Sequence, residues 1–193
     1  MSYHMYTTEG IILRRQATGE ANALLYILTR DLGLIVASAQ AVRVASSKLR
    51  PAIQEYTYGL FACVKGKSGW KATNAVEKQN FFFSSPQYAR RVLARAASVL
   101  QQMIPGEDPH PEIFEVVVSG FRSLGTTVSE DLAAFECLLM FRILYLLGYV
   151  EKNADTENFL SDTSDWDSLL SEMKKEQARI VDLINKGMKA SQL

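Results

Sequence analysis

Over the first third of the chain, hydrophobic and polar residues alternate in short runs, each closed by a turn signal. A period of two sends successive side chains to opposite faces of an extended backbone, so such runs predict half-buried strands. The first run spans Thr8 to Arg15, with Ile11 and Leu13 on one face and Ile12 and Arg14 on the other. The second, Ala23 to Thr29, follows a Thr-Gly-Glu turn, and the third, Leu34 to Ala39, follows Asp31-Leu32-Gly33. A basic connection with Arg43, Lys48 and Arg50 ends at Pro51. The fourth run, Gln54 to Lys65, puts Tyr56, Tyr58, Leu60, Ala62 and Val64 on one face. Lys65-Gly66-Lys67-Ser68-Gly69 then turns the chain into a fifth, Trp70 to Glu77. Five strands at this spacing, with the longer connection between the third and fourth, predict an OB-fold barrel. A small SH3-like barrel is the competing all-β reading.

The period changes after Phe81-Phe82-Phe83. Ser85-Pro86 reads as a helix start, with Ser as N-cap and Pro at the first helical position. Val92, Ala96, Val99, Leu100 and Met103 form a helical stripe opposite Arg91, Arg95, Ser98 and Gln102, and Pro105-Gly106 breaks it. Pro111 opens a second helix carrying Phe114, Val117, Phe121 and Leu124, stopped by Gly125. Thr127 with Glu130 has the spacing of a capping box for a third helix ending at Leu147-Gly148. Asp162 to Asp165 precede a last helix with Trp166, Leu169, Leu170, Met173, Ile180, Leu183 and Ile184 on one side. The expected architecture is α+β, with an N-terminal five-stranded OB-fold barrel over residues 1–80 and an α-helical domain over 81–193.

Charge sharpens this division. The 193 residues carry 21 Lys/Arg and 21 Asp/Glu, a formal net charge of zero. Yet residues 1–80 hold ten Lys/Arg against five acids, residues 81–150 five against seven, and residues 151–193 six against nine. A basic first domain beside an acidic remainder points to a polyanionic partner for the barrel.

Little in the chain suggests catalysis. Gly66-Lys67-Ser68 resembles the end of a P-loop, but position 61 is Phe where that motif needs Gly, and the segment lies between two strands. The two histidines, His4 and His110, lack the context of a triad or a metal site. Cys63 and Cys137 stand alone in apolar stretches and read as small buried hydrophobes. Asp155, Glu157, Asp162, Asp165 and Asp167 cluster, but not with EF-hand spacing, and read as helix-capping acids on a solvated face. No enzyme, cofactor or bound metal is expected. The polar N-terminus lacks the charged and apolar regions of a signal peptide, and Phe135 to Val150 falls short of the ~20 residues that span a bilayer. The expectation is a soluble, cytoplasmic protein with no membrane and no small-molecule substrate.

Arg14, Arg15, Arg30, Arg43, Lys48, Arg50, Lys65, Lys67 and Lys71 are the candidate phosphate partners. Tyr58 and Trp70 are candidate base-stacking platforms, since stacking tolerates any base. For each lysine the alternative is an ordinary solvated charge, and for Trp70 it is the barrel core.

Several segments resemble a known family. Glu9-Gly10-Ile11-Ile12-Leu13-Arg14-Arg15, Gly19-Glu20-Ala21-Asn22-Ala23-Leu24-Leu25 and Leu28-Thr29-Arg30-Asp31-Leu32-Gly33 are similar to the N-terminus of the bacterial DNA repair protein RecO family. Ala41-Val42-Arg43 with Ser47-Lys48-Leu49-Arg50 looks like its basic connection, and Leu49 to Tyr58 like the approach to its fourth strand. Pro105 to Phe114, Phe135 to Leu139 and Leu146-Leu147-Gly148-Tyr149 match its helical domain. The resemblance spans roughly Thr8 to Tyr149. It implies an OB-fold and a helical domain in a recombination mediator that binds single- and double-stranded DNA, anneals strands and helps load RecA. It also implies RecR and the C-terminal tail of single-stranded DNA-binding protein as partners, and a bacterial, nucleoid-associated location. Carried over, the DNA-contacting positions are Arg14, Arg15, Arg43, Lys48 and Arg50. Many relatives place zinc-binding cysteines soon after the Leu-Gly-Tyr segment; Val150 to Leu160 has none, so no zinc is expected. A second reading makes the chain a protein-interaction adaptor with little DNA affinity, in which Val92, Val99, Met103, Phe114 and Phe121 flank a groove for a partner's tail.

Overall fold

Five strands close into a barrel in the computed structural model of the chain, which describes residues 4–42, 49–153, 155–161 and 166–190. They are β1 (Met5–Thr18), β2 (Asn22–Thr29), β3 (Gly33–Ala39), β4 (Thr57–Gly66) and β5 (Gly69–Asn80). Their order around the barrel is β1-β2-β3-β5-β4, with β4 returning to β1. All pairings are antiparallel except the short parallel one between β3 and β5. This closure removes exposed strand edges and is the OB-fold topology. Helices follow: the short α1 (Phe81–Ser84), α2 (Arg90–Met103), α3 (Pro111–Ser123), α4 (Leu132–Leu146), the short α5 (Asn158–Ser161) and α6 (Asp167–Ala190).

Inside the barrel, Ile12, Leu25, Ile27, Ile35, Ala37, Phe61, Cys63 and Trp70 form one buried cluster. The alternation of β2 is kept, with Ala23, Leu25 and Ile27 inward and Asn22, Leu24 and Tyr26 outward or half-exposed. In β4 the residues expected to share a face do so from Tyr58 to Val64, but the barrel interior takes the other set, Phe61 and Cys63. Tyr56 lies before the strand, at φ 64°. β1 departs from simple alternation. Ile11, Ile12 and Leu13 are all at most 2% exposed, because Ile12 pairs with Ile27 and Arg14 with Tyr26, leaving Leu13 as the extra residue of a bulge.

The chain divides into two compact units, Met1–Ser84 with Ala97–Pro111, and Ser85–Ala96 with Glu112–Leu193. In the first, the segment after α2 is tied to the barrel: the Leu34 N–H donates to the Gly106 carbonyl at 2.8 Å, and the Lys65 ammonium to Glu107 at 2.5 Å. Gly33 sits at φ 71°, and a Cβ there would stand 2.4 Å from the Asp108 carbonyl oxygen. Only glycine satisfies both that backbone region and that approach.

In the second unit, Phe114, Phe121, Phe135, Leu138, Trp166, Met173 and Ile180 are buried. Arg142 is also buried; its Nε donates to the Phe159 carbonyl at 2.8 Å and its guanidinium lies 4.4 Å from the Trp166 ring. Such a charge is tolerated only with partners of this kind. Helix α4 ends as its Leu-Gly pair predicts. Gly148, at φ 78°, donates to Tyr145, and Tyr149 donates to Leu144, the paired bonds of a Schellman motif.

Two helix-start expectations come out differently. Ser85 is buried and gives no side-chain cap; after Pro86 a single 3-10 turn, Gln87–Ala89, leads into α2. Thr127 donates its hydroxyl proton to the Ser123 carbonyl at 2.9 Å, finishing α3 instead of starting α4, so the capping box with Glu130 does not form. The expected cap over Asp162 to Asp165 lies outside the described residues. The adaptor groove is corrected as well: Val92, Met103, Phe114 and Phe121 are at most 3% exposed and Val99 is half-buried, so these stripes are core. Among the described residues, no helix is long and apolar enough to cross a membrane.

Candidate nucleic-acid interface

Strand register assembles one outward surface on the barrel. Arg14 of β1 lies opposite Tyr26 of β2, which lies opposite Val36 of β3. In the next row Gln16, Leu24 and Ser38 stand side by side, and Ser38 is paired in turn with Lys71 of β5. The Arg14 guanidinium carbon stands 5.6 Å from the Tyr26 ring centre, a cation–π distance. Past Lys71 the surface reaches the β4–β5 hairpin, where Gly66 pairs with Gly69 and Lys67 is exposed at the tip. Ser38, Gln40, Lys67, Ser68, Trp70 and Lys71 line a cleft of about 590 Å³ there. The Lys71 ammonium donates to the Gln40 amide oxygen at 2.8 Å, a neutral partner that leaves its charge uncompensated.

Other sequence-predicted cations go elsewhere. Lys65 shares the hairpin but is bound to Glu107, whose carboxyl this hydrogen bond holds below its usual range. Arg30, at the β2–β3 turn, stands 3.9 Å from Glu9. Glu9 also takes hydrogen bonds from Lys78 and the Tyr58 hydroxyl, and the Lys78 bond is the main reason its carboxyl lies below the usual range. Arg15 points to the opposite side of β1 from Arg14, where its Nη1 donates to the Gln54 side-chain oxygen at 3.4 Å. Arg50 is exposed at the head of the 3-10 turn Pro51–Ile53, its carbonyl accepting from the Gln54 amide at 2.6 Å. Arg43 and Lys48 lie outside the described residues. Of the expected cations, then, Arg14, Lys67 and Lys71 share the outward surface, joined at the hairpin by the acid-paired Lys65.

Both expected stacking platforms are corrected by burial. Trp70 is 6% exposed, with Tyr6 edge-on at 5.3 Å and the Lys65 ammonium 5.3 Å from its ring. Tyr58 is 6% exposed, between Phe81 at 6.0 Å and Lys78 at 5.4 Å. Neither ring offers an open face. Small barrels fill with their largest side chains, which is why Trp70 goes inward. The aromatic on the surface is Tyr26, which the sequence reading passed over. Its signal was the alternation of β2, where a tyrosine between Leu25 and Ile27 must face outward.

Residues 1–80 match the family model described as "Recombination protein O N terminal". Over a longer stretch, the chain is 29% identical over 147 residues to a DNA repair protein RecO of Desulfitobacterium hafniense, covering 75% of this chain and 52% of the relative. It is 30% identical over 149 residues to the RecO of a Dehalococcoides mccartyi strain, 76% of this chain and 57% of the other. With that of Bacillus velezensis it shares 29% identity over 152 residues, 75% and 57% of the two lengths. The chain spans about half the length of the curated relatives it matches.

Proposed function

We propose that this chain, whose first 80 residues match the model of the recombination protein O N-terminal domain, is a non-enzymatic DNA-binding recombination mediator in DNA repair. The observation that carries the reading is the surface running from Arg14 and Tyr26 across Ser38 to Lys71 and Lys67. In OB-folds the face of strands two and three, with the loops joining strands one to two and four to five, is where oligonucleotides bind. Here that surface supplies uncompensated cations for phosphates and one half-exposed aromatic ring for a base.

The chemistry is capture without covalent change. Lys67 and Lys71 displace counterions from a strand's phosphates, which supplies affinity without regard to sequence. Tyr26, held by Arg14, offers a flat surface on which an unpaired base stacks. A strand held by its backbone keeps its remaining base edges available, and so can pair with a complementary strand. Partnership with RecR, contact with the single-stranded DNA-binding protein tail and assistance to RecA loading belong to the same proposal, on the strength of the family.

The test is neutralisation of the hairpin. Lys67→Gln with Lys71→Gln is expected to weaken binding of single strands of every sequence alike. The slope of log affinity against log salt should become shallower by about 0.7 per lysine. Lys175→Gln, an exposed position on α6, serves as the control that leaves the slope unchanged. Unaltered salt dependence in the double variant would remove the hairpin from the interface.

A further inference from the structure

A second cleft lies on the other side of β1. Strand β1 pairs with β4 only as far as Ile11, yet continues beside β2 to Thr18. Past Ile11 the edge of β1 that β4 had paired therefore has no strand beside it. Arg15, Ala17, Gln54, Glu55, Tyr56, Phe82 and Phe83 line a space of about 420 Å³ there, within the roughly 300–1,000 Å³ of small-ligand sites.

Four features mark this cleft, although the Tyr56 backbone also ties β1 to the segment after β5, its N–H donating to the Ile12 carbonyl at 2.7 Å and its carbonyl accepting from the Phe81 N–H at 3.0 Å. Phe83 is 72% exposed, a large apolar surface in water. It stands edge-on to Phe82 at 5.6 Å, and Phe82 lies nearly parallel to Tyr56 at 6.1 Å, so three rings form a continuous aromatic wall. Tyr56 holds φ at 64°, an uncommon region for a bulky residue, of the kind that gathers at binding sites. The Arg15 Nε is buried and donates to no group among the described residues.

The charge of the site selects among ligands. Arg15 brings one positive charge and Glu55 one negative, and the Glu55 carboxylate is fixed by the Arg15 backbone N–H, which donates to its Oε1 at 2.9 Å. A phosphate would meet that carboxylate, so the site is poor for an anion. A flat neutral ring with both donors and acceptors on its edge suits it. Carboxylates accept from adjacent N–H groups, and among the DNA bases guanine alone offers two neighbouring donors on its pairing edge, N1–H and the 2-amino group. Guanine O6 and N7 are also the acceptors that arginine recognises best.

We propose that this cleft takes one unstacked base from a bound strand, with guanine preferred: Phe83 stacks on it, Glu55 accepts from N1–H and the 2-amino group, and Arg15 donates to O6 or N7. The inference rests on the DNA-binding reading and deepens it, adding a base-reading site to a sequence-indifferent surface. The two sites are close in chain terms, since β1 carries Arg14 and Gln16 toward the outer surface and Arg15 and Ala17 toward the cleft.

The experiment uses the full chain and labelled oligothymidylate strands, read by fluorescence anisotropy. One strand is all thymidine, one has a single central dG, and one has deoxyinosine at that place, which lacks the 2-amino group. The dG strand should bind about fivefold or more tighter than the all-thymidine strand, the scale of one good bidentate contact, with deoxyinosine in between. Glu55→Gln should remove the difference between dG and deoxyinosine, and Phe83→Ala should erase the dG advantage altogether. Phe83 is exposed, so its loss leaves folding intact, and Phe83→Tyr should restore the advantage. Equal, salt-sensitive binding of all three strands would overturn the cleft and leave the hairpin surface standing, as would a dG advantage that survives Phe83→Ala. Failure of every strand to bind would overturn the DNA-binding reading and the cleft with it.

Discussion

Glu9 shows how a single carboxylate organises its end of the barrel. It accepts from Lys78 and from the Tyr58 hydroxyl at 2.9 Å, and Arg30 stands 3.9 Å away. Chiefly through the Lys78 hydrogen bond, with burial opposing, its carboxyl titrates below the ordinary 4.5. A lowered folded value means the stabilisation is complete above the unfolded value and is lost as pH falls through the folded one. The urea midpoint of the chain should therefore drop as pH goes below about 4.5, and Glu9→Gln should flatten that acid limb. An unchanged acid limb in the variant would mean the network contributes nothing to folding. The same cluster accounts for two errors in reading the sequence. Nothing in the local pattern says that Arg30 will meet an acid 21 positions away, or that Tyr58 will turn its hydroxyl to Glu9 while its ring is covered. Contacts between strands distant in the chain decide which cations keep their charge open, and a count of Lys and Arg sees none of them. Cysteine was easier. Cys63 and Cys137 sit in apolar runs, are buried as those runs imply, and burial pushes both thiols up to about 11.

At the scale of elements, strands and most helix ends were legible because their signals are local. Period-two alternation and the glycine turns located all five strands, and Gly148 stopped α4 with the bonds its type provides. The failures also have local causes. A bulge adds one residue, so Leu13 joins Ile11 and Ile12 in burial and the face assignment of β1 inverts beyond it. That inversion decides which of Arg14 and Arg15 faces outward. The capping box failed because the Thr127 hydroxyl had a competing acceptor one turn back, at Ser123. Gly33 is the element-scale position with the clearest requirement, combining φ 71° with a backbone contact at Asp108. Gly33→Ala should cost about 1–3 kcal/mol in chemical denaturation. A loss within experimental error would show that the segment from Gly106 to Asp108 moves aside without cost.

For the whole molecule, zero net charge conceals a division that the fold then reduces. The surplus of five over residues 1–80 is partly spent on acids: Arg30 and Lys78 on Glu9, and Lys65 on Glu107. Among the described residues, Arg14, Lys67 and Lys71 remain on the outward surface with no carboxylate bound to them. The proposed interface is thus narrower than composition suggests, and under that proposal its strength depends on three cations more than on ten. Counterion release makes the consequence measurable, since each phosphate contact on a single strand contributes about −0.7 to the slope of log affinity against log salt. The direct measurement is a salt titration of the full chain with a labelled single strand of mixed sequence, followed by fluorescence anisotropy. The account predicts a linear decline with a slope of about −2 or steeper. Binding that ignores salt, or no binding at micromolar protein in low salt, would contradict it.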